Sequence, residues 1–153
     1  MLARAVRLAR RARPSPNPRV GAVVARGGEI VGEGWHEAAG GDHAEVVALR
    51  AAGSRARGAT LYVTLEPCAH RGRTPACTGA VVSSGVARVV VGCRDPNPLV
   101  DGRGVAALAR AGIAVDVDAS RAAAACARLV EEWRVFITTG LPFVRLKAAI
   151  SLD

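Results

Sequence analysis

An α/β three-layer sandwich with a largely parallel sheet is the fold class this sequence predicts. Two observations carry it. Strand-like runs alternate with helix-like runs along most of the chain, the pattern left by strands joined through crossover helices. The run "VARVVVG" is apolar along its length, as expected of a strand covered on both faces. With 153 residues, half of them hydrophobic, the chain can build one core and one domain.

Taken in order, the elements follow from local chemistry. In "MLARAVRLARRARP", Leu2, Ala5, Val6 and Ala9 share one helical face and Arg4, Arg7 and Arg11 the other, so an amphipathic helix is predicted. It should end near Arg13, because Pro14, Pro16 and Pro18 follow. The same arginine-rich, acid-free start also fits a transit peptide. "RVGAVVARGGEIVGEGW" reads as two strands turning at Gly27-Gly28. "DHAEVVALRAAG" reads as a helix with Asp42 as N-cap and Gly53 past its end. "ATLYVTL" is a strand, and "TPACTGAVVSSG" a helix with Pro75 near its first turn. After the "VARVVVG" strand, "DPNPLVDGRG" is a long turn, "VAALARAG" a helix and "IAVDV" a strand. One long helix should run from Ser120 to Thr139, and "PFVRLKAAI" reads as another strand. Nothing remains to pair that strand. Residues 1–140 are therefore expected to form the domain, and 141–153 to resemble the first strand of something larger.

Twenty-one basic residues against thirteen acidic ones give a formal charge of +8, and Lys147 is the one lysine. Such a balance suits nucleic acid, an anionic membrane or a phosphorylated small molecule without choosing among them, and codon bias explains it equally well. The sequence shows no secretory signal, and no apolar run reaches the ~18 residues of a membrane span. A cytoplasmic setting with reduced thiols is expected. A close cysteine pair then reads better as metal-binding or catalytic than as a disulfide.

That pair is Cys68 and Cys77, in "TLEPCAHRGRTPAC". Zinc takes nitrogen and sulfur ligands, and a catalytic zinc keeps one position open. Of His36, His43 and His70, His43 is best placed as third ligand, at the start of a predicted helix. Both cysteines lie near predicted helix starts, whose positive ends favour thiolate over thiol. Glu45 follows His43 by two positions, and a carboxylate that does not ligate the metal can carry protons. Singly, each feature has a plainer reading. Asp42-x-x-Glu45 fits a capping box, the cysteines could be ordinary buried thiols, and a structural zinc could take His36 or His70 as fourth ligand. Together, His-x-Glu, then Pro-Cys, then a second cysteine stand in the order of the zinc deaminases, which favours a catalytic zinc.

The eight residues between the cysteines depart from the short Pro-Cys-x-x-Cys of that signature. With "SPNPRVGAVV", "LEPCAHRGRTPAC", "DPNPLVDGRG" and "TGLPFVRLKAAISLD", the sequence closely resembles the deaminase domain of the bifunctional deaminase/reductase of riboflavin biosynthesis. The resemblance covers nearly the whole chain. It departs from the family at Ala69 and Ala76, where serine and proline are usual. The resemblance implies a cytidine-deaminase-like αβα sandwich with a five-stranded mixed sheet. It implies one zinc ion held by His43, Cys68 and Cys77, with Glu45 as proton shuttle. It implies hydrolysis of the 2-amino group of 2,5-diamino-6-(5-phosphoribosylamino)pyrimidin-4(3H)-one. A substrate shell of Asn17, His70, Arg73, Asp95 and Asn97 comes with it, as do homo-oligomers and a reductase domain, separate or removed. From the residues alone, Asn17 reads better as a turn residue before Pro18, and Asp95 and Asn97 fit equally well as bracing their turn by Asx bonds. No NADPH site is expected: "GRGVAA" mimics a dinucleotide fingerprint but does not directly follow a strand. Cys93 and Cys126 read as buried structural thiols.

Two rivals remain. A tRNA adenosine or other nucleobase deaminase would suit the charge but calls for the short cysteine spacing and aromatic stacking platforms. Aromatics are 3% of the chain, so no nucleic acid partner is expected. A non-enzymatic zinc module binding nucleic acid would need four protein ligands.

Overall fold

Alternate residues of the central strands go to two different cores. The computed structural model describes residues 1–70 and 75–151. Strands β1 (Gly21–Arg26), β2 (Glu29–Trp35), β3 (Thr60–Val63), β4 (Arg88–Val91) and β5 (Ala114–Val117) form one sheet in the order β2-β1-β3-β4-β5. From β1, Ala22 and Val24 enter the larger core with Leu61, Val63, Val89 and Val91. Val23 enters the smaller one with Leu2, Ala5, Val6, Leu8 and Cys126. This is the period-2 alternation of a strand covered on both faces.

Helix α1 (Leu2–Ala9) covers one face of the sheet, beside α5 (Arg121–Leu129). Its apolar stripe is the one the sequence predicts: Leu2, Ala5, Val6 and Ala9 are all buried. Helices α2 (Ala44–Ala52), α3 (Cys77–Ser84) and α4 (Arg103–Arg110) cover the other face. The three-layer αβα sandwich with a five-stranded mixed sheet is thus observed. No helix among the described residues is long and apolar enough to cross a membrane.

The sheet is not largely parallel. β1 pairs antiparallel with both β2 and β3, while β3–β4 and β4–β5 are parallel. The β2–α2–β3 crossover exists, but β1 lies between its two strands. Because β1 turns tightly into β2 at Gly27 and Gly28, both with positive φ, it must oppose each of its neighbours.

Glycines of β2 bring α2 down onto the sheet. A Cβ at Gly32 would lie 2.7 Å from Ala52 N, and one at Gly34 2.6 Å from Ala48 N. The two glycines of "EIVGEGW" therefore fix the depth at which α2, and the residues at its start, sit.

Two expected elements differ. The helix over 120–139 is two helices, α5 and α6 (Glu131–Thr139), broken at Val130. The break lets Val130 bury its side chain in the larger core, 3% exposed, with Trp133 packed against it. Residues 141–151 hold no strand. With no neighbouring strand to take its backbone hydrogen bonds, this segment has nothing to stabilise it as one.

Candidate metal centre and pocket

Three separate elements converge on one point. β3 delivers Cys68 through the short link Thr64–Pro67, α3 begins at Cys77, and α2 begins just after His43. His43, not Asp42, is the N-cap residue, and its side chain makes no cap bond. Asp42 instead accepts from Arg50 at 2.7 Å on the surface, so the capping-box reading of Asp42 and Glu45 does not hold. His43 Nδ1 lies 2.9 Å from Cys77 Sγ and 3.7 Å from Cys68 Sγ. The three side chains offer ligand atoms all within 4.8 Å of one another.

Only one of the cysteines opens a helix, Cys77. Cys68 gains the benefit indirectly, since the Cys77 backbone N–H donates to its sulfur at 3.3 Å. Hydrogen bonding from Cys77, and then from His43, pushes the Cys68 thiol down to about 4. The Cys77 thiol is pushed up, first by its bond to Cys68, then by burial and the nearby negative charge of Glu45. The two sulfurs compete for one negative charge. A cation placed among the three would remove that conflict, and a nitrogen with two sulfurs is the donor set zinc favours. The residues fit a zinc ion.

Glu45 lies on the first turn of α2 and is 3% exposed. Burial pushes its carboxyl up to about 7, a value suited to taking and returning a proton near neutral pH. It lines a cavity of about 350 Å³ together with His43, Cys68 and Leu65.

The same cavity gathers most of the expected substrate shell: Asn17, His70, Asp95 and Asn97 all line it. Arg73 lies outside the described residues. Both Asx bonds of the DPNP turn are made: Asp95 accepts from Asn97 N–H at 2.9 Å, and Asn97 from Leu99 N–H at 3.0 Å. Bracing the turn and lining the pocket are therefore compatible. Burial pushes the Asp95 carboxyl up despite the bond from Asn97.

Three pocket residues were not singled out by the sequence. His36 stands edge-on to His43 at 5.1 Å between ring centroids and bonds Asn17 at 3.0 Å. Burial pushes its pKa down. Trp133 Nε1 donates to Asp95 at 3.4 Å. Glu66 accepts four backbone N–H groups, from Asp95, Gly102, Gly104 and Val105, at 2.9–3.3 Å. It ties the cysteine loop to the DPNP turn and to the start of α4. The glycine of "GRGVAA" is explained by the same contact, since a Cβ at Gly104 would run into Pro67 O and lie 3.1 Å from Glu66 Oε1. The acid in "TLEP", placed at the end of an apolar run, was the available signal for Glu66.

Cys93 and Cys126 behave as structural thiols. Cys126 is fully buried, Cys93 donates to Thr64 O at 3.2 Å, and burial pushes both up to about 12.

The family described as "Cytidine and deoxycytidylate deaminase zinc-binding region" matches residues 1–93, which hold all three candidate ligands and Glu45. The chain belongs to this deaminase family. It is similar to the riboflavin biosynthesis protein RibD of Escherichia coli, 51% identical over 99% of this chain and 41% of the relative. Among solved structures, Acinetobacter baumannii RibD superposes with a TM-score of 0.92 at 50% identity, over 99% of this chain and 43% of that one. The diaminohydroxyphosphoribosylaminopyrimidine deaminase/5-amino-6-(5-phosphoribosylamino)uracil reductase of Thermotoga maritima superposes at 0.85 with 43% identity, over 93% and 41%. The deaminase-family chain thus spans about two fifths of the length of these relatives.

Proposed function

We propose that the chain catalyses hydrolytic deamination of 2,5-diamino-6-(5-phosphoribosylamino)pyrimidin-4(3H)-one to 5-amino-6-(5-phosphoribosylamino)uracil and ammonia. The observation that carries this reading is a buried carboxyl, Glu45, that lines one cavity with His43 and Cys68 of the His43/Cys68/Cys77 group. The substrate comes from the name of the Thermotoga relative and from the resemblance of the cysteine insert and the DPNP turn.

His43, Cys68 and Cys77 would hold one zinc ion. Zinc, when bound, supplies a water acidic enough to attack near neutral pH. Glu45 would take one proton from the attacking water and pass it to the ring nitrogen as C–O forms, then carry the proton of the added hydroxyl to the amine, so that C–N breaks and ammonia leaves. Its burial keeps it matched to that two-way task. Asn17, His70, Asp95 and Asn97 would hold the heterocycle, and Arg73 the phosphate, since a guanidinium grips two phosphate oxygens. A homo-oligomer, a reductase partner in the same or another chain, and a reducing cytoplasm that preserves the thiolates belong to the same reading.

The test is ammonia release from the diaminopyrimidinone ribotide by zinc-loaded protein, beside Glu45→Gln. The variant should keep its zinc and lose activity by about 10²–10⁴-fold. Equal release by both proteins removes Glu45 from the reaction. No release by zinc-loaded wild type removes this substrate.

A further inference from the structure

We propose that His36 is a positioning residue that fixes the Asn17 carboxamide with its oxygen toward the pocket, so that the substrate group meeting that oxygen must be a hydrogen-bond donor. The identity of the substrate rests on the function proposed above. The arrangement of the two side chains does not.

The argument runs outward from a backbone carbonyl. His36 Nδ1 lies 3.0 Å from Asp42 O. A carbonyl can only accept, so Nδ1 carries the proton. A neutral imidazole protonated there has a bare Nε2, which can only accept. Asn17 Nδ2 lies 3.0 Å from that nitrogen, and an amide nitrogen can only donate. Turning the carboxamide over would set oxygen against a nitrogen lone pair and forfeit the bond. Which face Asn17 shows is therefore decided by Asp42 O, through His36.

Both side chains hang from fixed backbone. His36 N–H donates to Val20 O at 3.0 Å, and Asn17 N–H to Pro14 O at 2.8 Å. Pro16 and Pro18 flank Asn17 and restrict its backbone further. His36 is 3% exposed, so water does not compete well for its nitrogens. Asn17 and His36 both line the cavity that holds Glu45, and one of the two Asn17 N–H bonds goes to His36, which sets the carboxamide so that its oxygen is free to face the cavity.

The consequence is selectivity. A ring N–H or an exocyclic amine can donate to Asn17 Oδ1, whereas a ring nitrogen bearing only a lone pair would face an acceptor. A site built to receive a donor rejects an analogue lacking it far more strongly than a hydrophobic pocket rejects a missing methylene.

Nitrogen NMR of the histidine-labelled full chain, with and without zinc, reads the tautomer directly. His36 should carry its proton on Nδ1 and none on Nε2. A proton on Nε2 overturns the proposal, whatever the substrate proves to be. If that tautomer is found but the ribotide is not turned over, the proposed function fails and the positioning stands. Kinetics supply the second arm. His36→Phe should raise KM about tenfold, the worth of one hydrogen bond, with a much smaller change in kcat. In an Asn17→Ala background the same substitution should add less than about twofold, because its route through the Asn17 carboxamide is gone. His36→Gln, whose amide oxygen can replace Nε2 as acceptor, should recover part of the lost KM and guards against a merely misfolded His36→Phe. Equal losses in both backgrounds, or no rescue by Gln, would overturn the proposal.

Discussion

The centre of the sheet and the C-terminal quarter of the chain are built to different standards. Ala22–Ala25 of β1, Leu61 and Val63 of β3, and Val89 and Val91 of β4 are buried between helices. In β5, Ala114, Asp116 and Val117 face solvent, and α6 buries no residue fully. Beyond it, Leu141, Val144, Leu146 and Ile150 are 64–91% exposed. The candidate ligands and Glu45 all hang from the well-packed part, at the ends of β3, α2 and α3. The C-terminal quarter sends a single side chain to the cavity, Trp133. The difference teaches where precision is needed: a three-point donor set requires rigid supports, whereas one wall of a pocket can tolerate a looser one.

Truncation should expose this contrast most sharply. Leu61→Ala, at 0% exposure in β3, should cost about 2–5 kcal/mol in urea unfolding, transfer and cavity terms together. Val117→Ala, at 43% exposure in β5, should stay within about 0.5 kcal/mol. Comparable losses at the two sites would mean that β5 is covered in solution. Glu66→Gln comes next. An amide has one oxygen where the carboxylate has two, so its NH₂ must face at least one of the four backbone N–H groups. A loss of about 1–3 kcal/mol is expected, together with a higher KM, since the DPNP turn loses its anchor at Asp95. An unchanged KM with lowered stability would show that the turn holds its shape through the Asx bonds alone.

Most of this was legible where physics is local. The stripe of Leu2, Ala5, Val6 and Ala9, the Gly27-Gly28 turn and the helices that begin just after His43 and at Cys77 and end at Gly53 and Gly85 follow from periodicity and from the φ preference of glycine. The order His43, Cys68, Cys77 points to three side chains that the fold does bring together. What escaped is set by distant partners. Glu66 has its hydrogen-bond donors 29–39 residues away, and nothing beside it in the chain reveals them. His36 meets Asn17 from 19 positions along the chain. The antiparallel placement of β1 depends on the α2 crossover passing over it. The break at Val130 answers to a core that the helical pattern of residues 120–139 does not encode.

The smallest test concerns pH and compares one ion pair from each region. Arg4 and Glu33 join α1 to β2 through two bonds, at 2.6 and 2.8 Å. Arg145 and Glu132 meet once, at 3.2 Å, between the C-terminal segment and α6. Bonding from Arg4 holds the Glu33 carboxyl below the usual carboxylate range, against a smaller opposing effect of burial. A carboxyl whose pKa falls on folding stabilises the fold above its unfolded pKa, and that contribution disappears as pH drops through the folded one. Glu33→Gln should therefore melt about 1–2 °C below the parent at neutral pH, a modest figure because the pair is partly solvated. The gap should close on acidification, as the parent loses what the variant never had. Glu132→Gln should show no measurable gap at any pH, since a single exposed contact is screened and entropically costly to hold. If the Glu132 variant showed the larger gap, the C-terminal segment would be held more firmly against α6 than its exposure implies, and the contrast between the two regions would have to be redrawn.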